Sequence, residues 1–124
     1  PRRVLLVDDN RDAVEALAML LESLGHEVHV AYNGPDGLAL AEALRPEVVL
    51  LDIGMPGMSG YDVAGALRLQ PWGKSLRLIA LTGWGQSSDR VRTAEAGFDH
   101  HLVKPIDFDS LEQLLTAPAQ QTVH

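Results

Sequence analysis

The chain predicts an α/β fold: one parallel sheet with helices on both faces and right-handed crossovers. Two observations predict it. Five short apolar runs rich in Val, Leu and Ile alternate with longer segments whose apolar residues recur at helical spacing. One of those runs, Val48-Val49-Leu50-Leu51, is apolar at four successive positions, as a strand covered on both faces requires. A length of 124 residues is that of one domain.

The first run is Val4-Leu5-Leu6-Val7. Val14, Leu17, Leu21 and Leu24 follow at helical spacing, and Gly25 supplies a stop. Glu27-Val28-His29-Val30-Ala31 alternates like a strand near an edge. Asn33-Gly34-Pro35 opens a second helix that runs through about Leu44, carrying Leu38, Ala41 and Leu44. After the third strand, Gly54-Met55-Pro56-Gly57-Met58-Ser59-Gly60 reads as a loop. Tyr61 to about Gln70 reads as a helix weakened by Gly65. Leu76 to Leu81 is the fourth strand. Ser87 or Ser88 caps a helix through Ala96 that Gly97 closes, and His100 to Val103 is the fifth strand, ended by Lys104-Pro105. Asp107 caps a last helix through about Leu115. Residues 117–124 show no apolar period and read as a tail or the start of a linker, which leaves residues 1–116 as the domain.

Composition excludes several classes. Ten Lys and Arg stand against 17 Asp and Glu, a formal net charge of −7. That balance disfavours a nucleic-acid or anionic-membrane surface, because both select basic patches. With no cysteine there is no disulfide framework, thiol nucleophile or cysteine-bound metal. No apolar run approaches a membrane span and no signal peptide is visible, so a reducing compartment is the expected setting.

In such sheets ligands bind beyond the carboxyl ends of the strands. Strand one ends at Asp8-Asp9, strand three at Asp52, strand four at Thr82 and strand five at Lys104-Pro105, while Ala31-Tyr32 after strand two offers no obvious chemistry. Singly, each is ordinary: a helix cap, a turn residue, a strand exit, a surface lysine. Together they are not. Two unit charges about 4 Å apart repel by roughly 4 kcal/mol at an effective dielectric near 20. Three carboxylates at one edge therefore call for a cation or for protonation. Mg²⁺ suits the set, since it takes one or two carboxylates, keeps waters and leaves a position for a phosphate oxygen. Lys104 and the Thr82 hydroxyl add a cation and a donor suited to a phosphoryl group.

The segments Val4-Leu5-Leu6-Val7-Asp8-Asp9-Asn10, Val48-Val49-Leu50-Leu51-Asp52-Ile53-Gly54-Met55-Pro56-Gly57-Met58-Ser59-Gly60, Leu81-Thr82-Gly83 and Lys104-Pro105 resemble the receiver (response-regulator) domain of two-component signalling. The resemblance extends to about residue 116. It implies a flavodoxin-like, doubly wound (βα)5 sheet in the order 2-1-3-4-5. It implies that Asp52 is the phosphoacceptor, taking a phosphoryl group from a phosphohistidine on a histidine kinase or histidine phosphotransfer domain. Asp9 and Asp52 would bind Mg²⁺ directly with the Gly54 backbone carbonyl, and Asp8 directly or through water. Thr82 and Lys104 would hold phosphoryl oxygens, and the Lys104-Pro105 peptide would be cis. A receiver switches partner interactions in a phosphorelay and catalyses only its own phosphorylation and dephosphorylation, so the isolated domain is not expected to act as an enzyme on other substrates. A bacterial cytoplasm is its expected setting. Leu81-Thr82-Gly83-Trp84-Gly85-Gln86, with Ala96 to Asp107, is similar to receivers fused to histidine kinases in hybrid sensor proteins or joined to other signalling modules; a hybrid parent is the expected origin, ahead of a stand-alone receiver and of a regulator with an output domain.

Two departures stand out. Where many receivers carry a Tyr or Phe switch residue, three positions before Lys104, this chain has His101, either a switch or a packed histidine. Its neighbour His100 suggests a metal pair, but adjacent strand residues face opposite ways. Gly54 and Trp84 replace polar residues that in some receivers orient a hydrolytic water. Among rival readings, an aspartate-nucleophile phosphatase would use Asp8 as nucleophile and Asp52 as metal ligand, but Asn10 stands where its second Asp belongs. A dinucleotide or flavin module lacks its glycines after strand one. A degenerate receiver that only docks a partner would not be expected to keep Asp8, Asp9, Asp52, Thr82 and Lys104 together.

Overall fold

The computed structural model describes residues 2–83 and 90–116. Five strands, β1 (Arg3–Val7), β2 (Glu27–Ala31), β3 (Val48–Asp52), β4 (Arg77–Thr82) and β5 (His100–Val103), form one sheet in the order β2-β1-β3-β4-β5, every pair parallel. Between and after them come α1 (Arg11–Ser23), α2 (Gly34–Leu44), α3 (Gly60–Leu69), α4 (Arg90–Ala96) and α5 (Phe108–Thr116). The predicted fold class and strand order are those observed. No helix among the described residues is long and apolar enough to cross a membrane.

The period of two along each strand divides the core into two layers. Leu5, Val7, Val49, Leu51, Leu78 and Ala80 face Ala41, Val63, Ala64 and Leu67 of α2 and α3. Val4, Leu6, Val48, Leu50, Ile79 and Leu81 face Val14, Ala18 and Leu21 of α1 and Leu111 and Leu115 of α5. The unbroken apolar run at β3 is thus the sequence of a strand with no solvent face. Burial of a single such side chain contributes about 1.5–3 kcal/mol.

Helix starts follow local chemistry. Asn10, Asn33 and Ser59 each place a side-chain oxygen on a backbone N–H of the first turn, and Ser59 with Asp62 closes a reciprocal capping box. Some ends differ from the sequence pattern. α1 stops at Ser23, because Gly25 takes φ +97° and Leu24 lies outside the helix, half exposed. α3 stops at Leu69, because Gln70 precedes a proline and is extended; Pro71–Ser75 then forms a 3-10 turn that the sequence pattern did not suggest. The Leu76 N–H closes that turn on Gly73, so β4 begins one residue later than expected and includes Thr82. The Arg68 guanidinium ties this turn to the end of α4, donating to the Gly73, Leu76 and Gly97 carbonyls and to Asp99. The Ser87 or Ser88 cap, Trp84 and the tail at 117–124 lie outside the described residues.

Gly60 and Gly65 occupy the same helix under opposite constraints. A Cβ on Gly60 would stand 2.7 Å from the Asp52 carbonyl oxygen and from the Ile53 Cα; one on Gly65 would meet nothing within 4 Å. We therefore expect Gly60→Ala to destabilise by about 2 kcal/mol or more and Gly65→Ala to stabilise by roughly 0.5–1 kcal/mol. Urea unfolding of the two variants measures this, and equal midpoints would refute the packing assignment.

Candidate functional site

All the polar residues singled out at the strand ends gather at one edge of the sheet. The parallel ladders run one residue past the strands and set the loop entries: Asp8 N–H donates to the Ala31 carbonyl, Ile53 N–H to Leu81 and Lys104 N–H to Thr82, at 3.1, 3.1 and 2.8 Å. Asp8 and Asp52 then fold their loops in the same way. One carboxylate oxygen of Asp8 accepts the Asn10 N–H at 3.0 Å, and one of Asp52 accepts the Gly54 N–H at 2.9 Å. Each keeps its second oxygen for the site.

Those second oxygens face Lys104. Its Nζ is 2.9 Å from Asp8 Oδ2 and 3.4 Å from Asp52 Oδ2. The peptide between Lys104 and Pro105 is cis. Asp8 and Asp52 are buried, Asp9 is exposed, and carboxylate oxygens of all three lie within 4.8 Å of one another. One ammonium among three carboxylates leaves a formal excess of two negative charges, which a single divalent cation would neutralise. An all-oxygen donor set of this kind fits Mg²⁺. Gly54 lies in the same turn, beside the Asp52 carboxylate.

Electrostatics distinguish the members. Burial raises the Asp52 carboxyl above its ordinary range. The Gly54 N–H works against this, while a hydrogen bond and charge repulsion from Asp8 add to it. Lys104 does little to relieve Asp52, because its shorter bond is to Asp8. For Lys104 itself burial favours the neutral amine, yet the Asp8 hydrogen bond and the two carboxylate charges outweigh it and hold the ammonium above its usual value.

Thr82 is fully buried, and its hydroxyl is bonded across to β5, where His101 Nε2 lies at 3.0 Å. Register places His101 opposite Ala80 and His100 opposite Ile79, on opposite faces of the sheet, so the two histidines form no chelate. One feature of the rim was not legible from strand ends alone. Tyr32, after β2, donates its hydroxyl to Glu15 at 2.5 Å, and the Arg11 guanidinium sits 3.8 Å over its ring. The sequence signal was the i, i+4 pair Arg11 and Glu15 on the helix that follows Asp9.

The chain is similar to known proteins in sequence and fold. The family model of the response regulator receiver domain matches residues 4–116. PilH of Pseudomonas aeruginosa is 36% identical over 115 residues, 93% of this chain and 95% of PilH. The chemotaxis protein CheY4 of Vibrio cholerae superposes with a TM-score of 0.85 at 30% identity, over 91% of this chain and 94% of that one. The receiver domain of the sensor histidine kinase PA1611 from Pseudomonas aeruginosa PAO1 superposes with a TM-score of 0.83 at 31% identity, over 92% and 93% of the two chains, and has a magnesium ion coordinated in its active-site cleft.

The raised Asp52 carboxyl has a measurable consequence in metal-free protein. Above both its folded and unfolded pKa values the folded state carries the full cost of ionising Asp52; below the ordinary carboxylate range, near about pH 3–4, both states are protonated and the cost vanishes. Asp52→Asn in the presence of a chelator should raise the melting temperature by a few degrees at neutral pH, with the gain shrinking on acidification. A loss of stability at neutral pH would contradict the assignment.

Proposed function

The chain belongs to the response regulator receiver domain family, and on that premise we propose that it takes a phosphoryl group onto Asp52 from a phosphohistidine of a histidine kinase or histidine phosphotransfer domain, with Mg²⁺ held by Asp8, Asp9, Asp52 and the Gly54 carbonyl. The observation that carries this reading is the set of three carboxylates within 4.8 Å, with Lys104 reaching Asp8 and Asp52 at 2.9 and 3.4 Å. In this reading an Asp52 oxygen forms the new O–P bond as the P–N bond of the donor breaks, and the donor imidazole leaves with the electron pair. Mg²⁺, when bound, supplies charge for the phosphoryl oxygens. Lys104 exchanges an Asp8 contact for a phosphoryl oxygen, and the Thr82 hydroxyl donates to another. Rearrangement of Thr82 and His101 carries the change to partners, in a bacterial cytoplasmic phosphorelay. PilH and the PA1611 receiver are bacterial, which supports the bacterial part of that setting. A kinase domain in the same parent chain is one form that such a partner takes, and a sensor histidine kinase whose receiver is similar to this chain is the support for it.

Incubation with Mg²⁺ and acetyl phosphate, followed by intact-mass measurement, should show one added phosphoryl group that is absent with EDTA and absent in Asp52→Asn. An adduct that persists in Asp52→Asn would overturn the reading. Lifetime gives a second test. Gly54 offers no side chain to orient water, and a Cβ there would meet only Asp52 Oδ1, at an ordinary 3.5 Å. Gly54→Asn should therefore be accommodated and should shorten the life of the phosphorylated protein several-fold; unchanged or slower loss would count against it.

A further inference from the structure

The Thr82 hydroxyl is engaged on the side of β4 away from the phosphoacceptor. β4 lies between β3, which ends in Asp52, and β5. Thr82 Oγ1 is 3.0 Å from His101 Nε2 and 3.4 Å from the Leu102 carbonyl oxygen, both on β5. Register explains the pairing: Ala80 stands opposite His101 and Thr82 opposite Val103, so Thr82 and His101 project from the same face as diagonal neighbours. A hydroxyl has one proton to give. If Nε2 carries hydrogen, it donates to Oγ1 and the Thr82 proton goes to the Leu102 carbonyl. If Nε2 is bare, Thr82 donates to His101. In both tautomers the proton points toward β5.

We propose that His101 is a positioning residue that holds the Thr82 hydroxyl on β5 and so biases the site toward its unmodified state. This rests on the reading of Asp52 as phosphoacceptor. A phosphoryl oxygen recruits Thr82 only by drawing its hydroxyl away from β5, giving up the bond to His101 or Leu102 for a charge-assisted one, and the shift in population is limited by the difference between the two. Phenylalanine at 101 cannot bond Oγ1 at all, which leaves the hydroxyl the longer 3.4 Å contact with the Leu102 carbonyl.

The test is calorimetric titration with beryllofluoride and Mg²⁺. His101→Phe should bind this phosphoryl mimic roughly 2- to 10-fold more tightly than the parent, the range that one net hydrogen bond spans. His101→Gln, whose amide can still bond Oγ1, should return the affinity toward that of the parent. In a Thr82→Val background the exchange of His101 for Phe should have no effect. In metal-free protein, Thr82→Val should shift the ¹⁵N resonance of His101 Nε2. Equal affinity in the parent and His101→Phe, or a tightening that survives Thr82→Val, would overturn the proposal while leaving Asp52 as phosphoacceptor. Failure of every variant to bind the mimic, with no phosphoryl transfer from acetyl phosphate to the parent, would remove the reading of Asp52 and this proposal together.

Discussion

Three carboxylates share one edge of the sheet with a single ammonium, and most of the surrounding structure is arranged around that imbalance. Asp8 and Asp52 are nearly withdrawn from water, where like charges repel more strongly than at the surface. Lys104 offsets part of this by reaching Asp8 at 2.9 Å and Asp52 at 3.4 Å. The remaining excess of negative charge makes the edge receptive to a divalent cation; burial first, with Asp8 adding to it, makes the Asp52 carboxyl resist ionisation in metal-free protein.

Holding such an edge together requires a rigid support. The two apolar layers supply it: β1, β3 and β4 are packed on both faces, so their carboxyl ends cannot move apart without opening the core. Gly60 brings α3 directly against the Asp52–Ile53 backbone, with no room for a side chain. Within the loops, the backbone N–H groups of Asn10 and Gly54 each hold one oxygen of the preceding aspartate. The remaining oxygens are thereby presented to Lys104. Packing, turn chemistry and charge thus constrain the same few atoms.

Beside this frame stands the side-chain bond between Thr82 and His101. It crosses from β4 to β5 at the margin of the site, and it involves a hydroxyl with a single proton. Arg11, Glu15 and Tyr32 join the start of α1, just after the exposed Asp9, to the end of β2. A buried Asp52 beside an exposed Asp9 gives the edge an interior and an exterior side.

Much of this was legible in the amino-acid order, for a physical reason. Strand and helix periods are local, and a parallel sheet brings every strand's carboxyl end to one edge; Asp8, Asp9, Asp52, Thr82 and Lys104 therefore meet once the five strands are recognised. The helix start at Asn33 and the stops at Gly25 and Gly97 act within one helical turn, and they too could be read directly; Ser59, read as part of a loop, is the cap of α3. What only the tertiary structure decided depends on distance across the fold. The pairing of Lys104 with Asp8, the bond between Thr82 and His101, and the Arg11–Tyr32–Glu15 rim each join residues from different elements, whose spacing is set by strand register and helix packing. The 3-10 turn at Pro71–Ser75 belongs with them, because its carbonyls are held by Arg68, a side chain whose other bonds lie at the end of α4. Local periodicity has no access to such contacts; they exist only when the layers have closed.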